Sequence, residues 1–263
     1  MNLKDKKFVY HRALNTEVAF REFLDINAKS EYTLAAEGDV CWAYIDFRFI
    51  IYIHHPDVQG KSLSNERIVE LLEKDELLTL DKLFSINSEI NFILELKTGT
   101  GNLDDFFVAF KEVLEKYNVK NTLVDAFSAR QLETLKKVIP EIKTSLHAKF
   151  LMGKYVLETS FESPYLKVHN IYDMEYIDYF TISYTTTHVN LLNLDVDSSY
   201  IEVYKAGKKL NLGSIKSMEA LDKALNSQTE YIYLRSSHVK NNYTKVLSHY
   251  ETTNKIHCNE KET

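Results

Sequence analysis

Short apolar segments rich in β-branched and aromatic residues alternate along this chain with segments whose apolar residues recur at helical spacing. The strand-like segments are Phe8–His11, Thr33–Val40, Phe92–Lys97, Thr122–Phe127, Thr144–Phe150, Phe180–Tyr184, Tyr200–Lys205 and Glu230–Arg235. Helical patterns lie between them, at Glu17–Asn27, Asn65–Lys74, Leu103–Tyr117, Ala129–Ile139 and Ser217–Asn226. Such alternation is typical of parallel βαβ units. Eight strands within 263 residues predict one closed TIM (β/α)8 barrel of the α/β class rather than an open doubly wound sheet.

Two segments depart from this alternation. Arg48–His54 follows the second strand too closely for a helical crossover, so we expect it to pair antiparallel with that strand. Leu151–Asp178 shows no clear pattern and is expected to be irregular. The barrel is predicted to be a single domain over residues 1–250, and residues 251–263 are predicted to form a flexible tail.

Charge and cysteine content narrow the class of function. The formal net charge of −6 gives no overall attraction to nucleic acid or to an anionic membrane. Cys41 and Cys258 have no metal-ligand spacing and form no disulfide framework, which is typical of a reducing compartment. The chain has no signal-peptide pattern and no apolar run long enough to span a membrane, so we expect a cytoplasmic protein. The sequence does not indicate an oligomeric state.

Charged residues stand in alternating positions at two predicted strand ends, Glu37-Gly38-Asp39 and Glu95-Leu96-Lys97. Residues i and i+2 of a strand point to one face, and the carboxyl ends of barrel strands line the active face. Glu37, Asp39 and Glu95 therefore predict a site for one divalent cation. Carboxylate oxygens favour Mg²⁺ or Ca²⁺ over zinc.

Histidines lie at the ends of two further predicted strands. His11 and Arg12 follow the first strand, and His54 and His55 end the extension of the second. Imidazoles exchange protons near neutral pH, so a pair of them suits general acid–base catalysis. His147 alternates with Lys149 on another strand, where a surface or core position is favoured over a phosphate contact.

Taken in order, these segments resemble the motifs of the glycerophosphodiester phosphodiesterases, part of the wider family of PI-phospholipase-C-like phosphodiesterases. The resemblance covers about the first half of the chain. It rests on His11-Arg12-Ala13-Leu14-Asn15-Thr16, Glu37-Gly38-Asp39-Val40, Ile50-Ile51-Tyr52-Ile53-His54-His55-Pro56-Asp57 and Glu95-Leu96-Lys97.

The resemblance implies a TIM barrel that hydrolyses a small phosphodiester, either a glycerophosphodiester or a lysophospholipid headgroup. It implies that Mg²⁺ or Ca²⁺ is held by Glu37, Asp39 and Glu95. The acid–base pair would be His11 with His55 or His54, and His55 is favoured because Pro56-Asp57 follows it. The phosphate would be contacted by Arg12 and Lys97.

Departures from the family pattern leave alternatives open. The late motifs are missing, and Val203–Gly207 and Leu234–Ser237 stand in their places. A catalytically silent barrel that binds a phosphorylated ligand or a protein is therefore one alternative. The short first motif and Lys97-Thr98-Gly99 also resemble sphingomyelinase D-like phospholipases, which gives a second alternative: an enzyme acting at a membrane surface through an apolar lip within Leu151–Leu166.

Overall fold

The computed structural model describes residues 5–57, 60–158, 167–183, 196–237, 239–244 and 247. Its strands are β1 (Lys7–Tyr10), β2 (Thr33–Ile45), β3 (Arg48–Ile53), β4 (Asn91–Gly99), β5 (Thr122–Ala126), β6 (Lys143–Met152), β7 (Tyr155–Glu158), β8 (Lys167–Asn170), β9 (Tyr179–Ser183), β10 (Lys209–Ile215) and β11 (Tyr231–Leu234). Its helices are α1 (Glu17–Asn27), α2 (Asn65–Glu73), α3 (Leu80–Ile86), α4 (Leu103–Lys116), α5 (Ala129–Val138), α6 (Val196–Lys205) and α7 (Met218–Asn226).

Eight parallel strands close into a barrel. Each pairs with the next in the order β1, β2, β4, β5, β6, β9, β10, β11, and β11 returns to β1. The predicted (β/α)8 fold is therefore confirmed. The antiparallel pairing of β3 with β2, predicted for Arg48–His54, is also present.

Helices α1, α2 and α7 form where the sequence supplies both an N-terminal cap and an apolar face. Thr16, Ser64 and Ser217 each accept a hydrogen bond from a backbone N–H in the first turn of α1, α2 and α7. The apolar faces pack on the outside of the barrel, where each fully buried Phe or Leu stabilises the fold by about 1.5–3 kcal/mol. Trp42 of β2 stacks on Phe106 of α4 with ring centroids 4.1 Å apart.

One predicted strand is wrong. Tyr200–Lys205 belongs to helix α6, and the barrel strand in that region is β10, which the sequence did not indicate. The segment satisfies two patterns, because Val196, Tyr200 and Val203 also recur at helical spacing. Gly207 ends the helix in a left-handed conformation with φ of 71°. The chain is thereby turned into β10.

Leu151–Asp178 was predicted to be irregular, and this prediction is also wrong for the described residues. Strand β6 continues to Met152, turns at Gly153 and returns as β7, which pairs antiparallel with β6 and with β8. The predicted tail over residues 251–263 lies outside the described residues. Among the helices of the described part, none combines the length and apolar character that crossing a bilayer requires.

Candidate active site

Strands β2 and β4 bring three carboxylates together inside the carboxyl end of the barrel. Asp39 is paired in register with Glu95, and Glu37 precedes Asp39 by two residues on the same face of β2. One ligand oxygen from each of the three lies within 4.8 Å of the others, and all three residues are buried. The structure therefore brings together the three acids that the sequence singled out.

The glycine between the two β2 acids is required by close packing. A Cβ atom on Gly38 would lie 2.5 Å from the Cβ of Leu14. Leu14 is fully buried, and its N–H donates a hydrogen bond to the carbonyl of Glu37 at 3.0 Å. The loop after β1 thus packs against β2 at Gly38, between Glu37 and Asp39.

His11 contacts Glu37, the first of these carboxylates. Its Nδ1 lies 2.8 Å from Oε2 of Glu37, and the backbone N–H of Arg12 donates to the same oxygen. Arg12 adopts the left-handed conformation with φ of 62°, which turns its N–H toward Glu37. The Nε2 atom of His11 is buried and has no hydrogen-bond partner in the described part of the chain. That nitrogen is free to contact a ligand in the site.

Glu37 stays ionised despite its burial. Burial alone would raise its pKa, but the hydrogen bond and charge of His11, the Arg12 N–H and the charge of Lys97 lower it more, so the net pKa shift is downward. A carboxylate held in its charged form is suited to a cation. Its second oxygen, Oε1, is buried with no hydrogen-bond partner among the described residues.

Asn15 holds the second carboxylate. Its Nδ2 donates to Oδ2 of Asp39 at 2.8 Å, and its Oδ1 accepts from the backbone N–H of Asp39 at 3.2 Å. Sequence reasoning gave Asn15 no role beyond its place in the first motif. The reason is that its partner lies 24 residues away, and only the packing of the β1 loop on β2 brings the two together.

Lys97 lies against the carboxylates. Its Nζ is 2.8 Å from Oδ1 of Asp39 and contacts Oε1 of Glu95. Burial lowers the pKa of Lys97, but the charges of Glu95 and Asp39 outweigh burial and raise it overall, so the ammonium stays charged. Burial raises the pKa of Glu95 to about 7, an effect that Lys97 and His147 only partly oppose. Glu95 therefore gains or loses its proton near neutral pH.

The two candidate histidines after β3 have different surroundings. The backbone N–H of His54 donates to the carbonyl of Asp39 at 2.8 Å, and the ring is half-buried. Burial and the neighbouring His55 lower the pKa of His54, while Asp39 opposes them. His55 is exposed, and its Nδ1 lies 2.7 Å from the carbonyl of Pro56. His54 therefore interacts electrostatically with Asp39 of the carboxylate cluster.

Two positively charged side chains stand at the rim of the site. Arg12 is exposed. Lys240 donates from Nζ to the carbonyl of His11 at 2.7 Å, and its ammonium lies 5.6 Å from the ring centroid of Tyr10. Burial lowers the pKa of Lys240, an effect that Glu37 opposes and Arg12 reinforces. The C-terminal region thus contributes a positively charged side chain to the site, which the sequence did not indicate.

The carboxylate cluster fits a hard divalent cation. Two oxygen ligands on opposite sides of Ca²⁺ are at most about 4.6–5.2 Å apart, since each lies about 2.3–2.6 Å from the ion. The separations among Glu37, Asp39 and Glu95 are within that limit. The three donors are all carboxylate oxygens, which Mg²⁺ and Ca²⁺ prefer. Oε1 of Glu37 is also available, since it has no hydrogen-bond partner in the described ranges.

Comparison by sequence yields nothing further: no protein-family model matches this chain, and neither does any curated protein. Comparison by structure yields several phosphodiesterases. A glycerophosphodiester phosphodiesterase from Parabacteroides distasonis has a TM-score of 0.63 and 13% identity, over 95% of this chain and all (100%) of that chain. One from Agrobacterium tumefaciens has a TM-score of 0.53 and 16% identity, over 87% of this chain and 96% of that chain.

A third neighbour is an Oleispira antarctica phosphodiesterase whose structure contains the product sn-glycerol-3-phosphate. Its TM-score is 0.58 with 16% identity, over 86% of this chain and 92% of that chain. At identities this low, the structural similarity establishes the fold alone. The fold agrees with the family resemblance seen in the motifs. The chain therefore has the TIM barrel fold of these phosphodiesterases, at 13–16% sequence identity to them.

Proposed function

We propose that this protein is a divalent-cation-dependent phosphodiesterase that hydrolyses glycerophosphodiesters or closely related phospholipid headgroup diesters. The observation that supports this most is the convergence of Glu37, Asp39 and Glu95 in one buried cluster. His11, which has a nitrogen directed away from Glu37, flanks that cluster. The fold shared with several glycerophosphodiester phosphodiesterases agrees with this function.

The cation would be Mg²⁺ or Ca²⁺, held by Glu37, Asp39 and Glu95. When bound, such an ion neutralises charge on phosphate oxygens. Asn15 would keep Asp39 in a ligating orientation through its two hydrogen bonds. Lys97, which contacts Asp39 and Glu95, would place a permanent positive charge beside the phosphate.

His11 would exchange a proton with the substrate through Nε2. Its Nδ1 is held by Glu37, which fixes the plane of the ring. A second imidazole would act on the opposite oxygen of the diester. We assign this role to His54 rather than to the His55 favoured from sequence, because His54 is half-buried and interacts electrostatically with Asp39, whereas His55 is exposed.

Arg12 would bind the non-bridging oxygens of the phosphate from the rim. Its side chain is exposed at the mouth of the barrel, and its backbone is anchored on Glu37. An arginine at this position gives two parallel donors to a phosphate. The product bound to the Oleispira antarctica enzyme supports a substrate of this small size.

Hydrolysis of a panel of diesters tests the proposal. The panel contains glycerophosphocholine, glycerophosphoethanolamine, glycerophosphoglycerol and bis(p-nitrophenyl) phosphate, each with Mg²⁺, Ca²⁺ or EDTA. We expect cation-dependent release of the alcohol from at least one glycerophosphodiester, and a loss of at least a hundredfold in His11→Ala. Asp25→Asn, at an exposed position on α1, is the matched control and should retain full activity.

Binding without turnover would contradict this proposal and favour the catalytically silent barrel. Hydrolysis confined to substrates in vesicles would favour the alternative of an enzyme at a membrane surface. The apolar lip predicted for that alternative, within Leu151–Leu166, includes residues 159–166, which lie outside the described residues.

A further inference from the structure

The C-terminal helical segment, residues 239–244, packs against the first strand of the barrel. Val239 and Tyr243, four residues apart and therefore on one face of the helix, are both buried. The Tyr243 ring lies 5.5 Å from the ring of Phe8 and 6.1 Å from that of Tyr10, both on β1. An apolar face therefore holds the segment on β1, and this packing does not need a charged residue.

Lys240, on the same segment, differs from the other lysines that are withdrawn from water. Lys6 and Lys208 are buried, and each donates to two or more carbonyls of the chain around it. Lys240 is half-buried, and within the described residues its Nζ donates to one carbonyl, that of His11 at 2.7 Å, and forms no ion pair. Its charge is thus used on the residue that is proposed to exchange a proton with the substrate.

The peptide group between His11 and Arg12 is held from both sides. Its carbonyl, which belongs to His11, accepts from Nζ of Lys240, and its N–H, which belongs to Arg12, donates to Oε2 of Glu37. Because the carbonyl and the N–H of a trans peptide point in opposite directions, Lys240 and Glu37 lie on opposite sides of it. The same Glu37 oxygen is 2.8 Å from Nδ1 of His11. A rotation of this peptide would therefore disturb the contact that orients the His11 ring.

The backbone conformation held by these two hydrogen bonds is an uncommon one. Arg12 has φ of 62°, in the left-handed region that a residue with a long side chain rarely adopts. Such a conformation persists only where the surrounding structure holds it. Loss of the Lys240 ammonium would leave the carbonyl of His11 without this donor and would allow the peptide to rotate.

We propose that Lys240 is a positioning residue for His11. By holding the carbonyl of the His11–Arg12 peptide, it keeps the His11 ring on Glu37, with Nε2 free to contact the substrate. Lys240 acts in this role without touching the substrate or the cation. This inference rests on the proposed function, because it assumes that His11 exchanges a proton with the diester.

Steady-state kinetics of Lys240→Met on the best diester test the proposal. We expect kcat to fall about 10–100-fold, the range typical of residues that orient a functional group. KM should change less than about threefold, because the cation and Lys97 still bind the phosphate. Lys240→Arg keeps a charged donor and should restore kcat to within about fivefold of the wild type.

Tyr10→Phe is the matched control. The Tyr10 hydroxyl donates to the backbone carbonyl of Lys240 at 3.2 Å, so this variant removes another hydrogen bond between β1 and the same segment. It leaves the Lys240 ammonium and the aromatic ring in place. We expect kcat of Tyr10→Phe to stay within about twofold of the wild type, since a lost hydrogen bond in the packing alone does not move His11.

A double-mutant cycle separates the positioning of His11 from a general loss of folded protein. If Lys240 acts through His11, Lys240→Met should lower the residual rate of His11→Ala by less than about threefold. A variant that is merely destabilised would lose the same factor in both backgrounds.

Amide NMR reports on the same peptide without turnover. The Arg12 N–H donates to a carboxylate, so its proton is expected to resonate downfield of ordinary amides. In Lys240→Met this resonance should move upfield, and in Tyr10→Phe it should stay in place.

Wild-type kcat in Lys240→Met would overturn the inference, as would an Arg12 resonance that does not move or an equal loss of rate in the His11→Ala background. Diester hydrolysis by the wild type would still leave the proposed function standing. If the wild type hydrolyses no diester with either cation, the proposed function is contradicted, and the positioning role of Lys240 with it.

Discussion

His11 Nδ1 lies 2.8 Å from Glu37 Oε2, while the second carboxylate oxygen of Glu37 has no hydrogen-bond partner in the described part of the chain. One carboxylate thus has two roles open to it, the orientation of an imidazole and the binding of a cation. The two roles are carried by different oxygens. Loss of the charge on Glu37 is therefore expected to affect cation binding and histidine chemistry together.

Glu37→Gln tests the cation-binding role of Glu37. The amide keeps the size of the side chain but removes its charge, so we expect the affinity for Ca²⁺ or Mg²⁺ to fall at least tenfold. Isothermal titration calorimetry on the folded variant measures this, with Asp25→Asn as the control. An affinity for the cation equal to that of the wild type would show that Glu37 is not a ligand.

The choice between the two histidines after β3 is tested by single substitutions. We expect His54→Ala to lower kcat on the best diester by about 10²–10⁴-fold, the range typical of a lost general acid or base. His55→Ala should change kcat less than threefold, because its exposed ring faces the carbonyl of Pro56. The reverse pattern would assign catalysis to His55.

Asn15 is expected to control cation affinity without touching the ion. Asn15→Leu removes both hydrogen bonds to Asp39 and should weaken cation binding about 10–100-fold, as for other groups that orient a metal ligand. The same titration measures it. Thr16→Ala, which removes the N-cap of α1 beside it, is the comparison variant. Equal cation affinities in the two variants would argue against an orienting role for Asn15.

Glu95 should make cation binding depend on pH. Because burial raises its pKa to about 7, a proton must leave Glu95 before the cation binds. We expect affinity to rise about tenfold per pH unit below pH 7 and to level off above it. Calorimetry at pH 6, 7 and 8 measures this. An affinity independent of pH across this range would contradict the raised pKa.

The raised pKa of Glu95 also affects the stability of the folded state. A carboxyl group whose pKa is raised in the folded state stabilises the fold most below its ordinary value of 4.5, and this contribution is lost as the pH rises through about 7. The cation-free protein should therefore unfold at a lower temperature at pH 8 than at pH 6. Adding Ca²⁺ at pH 8 should reverse the decrease.

Gly38→Ala tests the packing between the two acids of β2. Its Cβ would overlap that of Leu14, so we expect a loss of about 1–3 kcal/mol in the free energy of unfolding. Urea titration measures the loss. Ala36→Gly on the same strand, which removes a methyl group rather than adding one, should leave cation affinity unchanged. A Gly38→Ala variant as stable as the wild type would mean that the β1 loop shifts freely.

Much of this fold is encoded by local patterns. The helix Glu17–Asn27 was predicted from its apolar stripe, and the structure has the same bounds. The segment Tyr200–Lys205 was not predicted correctly, because aromatic and β-branched residues at that spacing suit a strand and a helix alike. Tertiary packing decides between them, through burial of Val203 and the turn at Gly207.

Some residues of the candidate site could be predicted from the sequence and others could not. Glu37, Asp39 and Glu95 were found from sequence because alternation along a strand fixes which face a residue takes. The role of Asn15 depends on Asp39, which is distant in sequence, and no local pattern gives such a pair. Strand β10 was missed because its inward residue Asn211 is polar and interrupts the apolar run.

A crystal structure with bound Ca²⁺ and inorganic phosphate tests the central claim most directly. We expect one ion within about 2.3–2.6 Å of oxygens from Glu37, Asp39 and Glu95. A phosphate oxygen should lie on the ion, with Nε2 of His11 in hydrogen-bonding range of the phosphate. An ion bound elsewhere, or three carboxylates that contact only Lys97 and His11 at saturating Ca²⁺, would contradict the proposed active site.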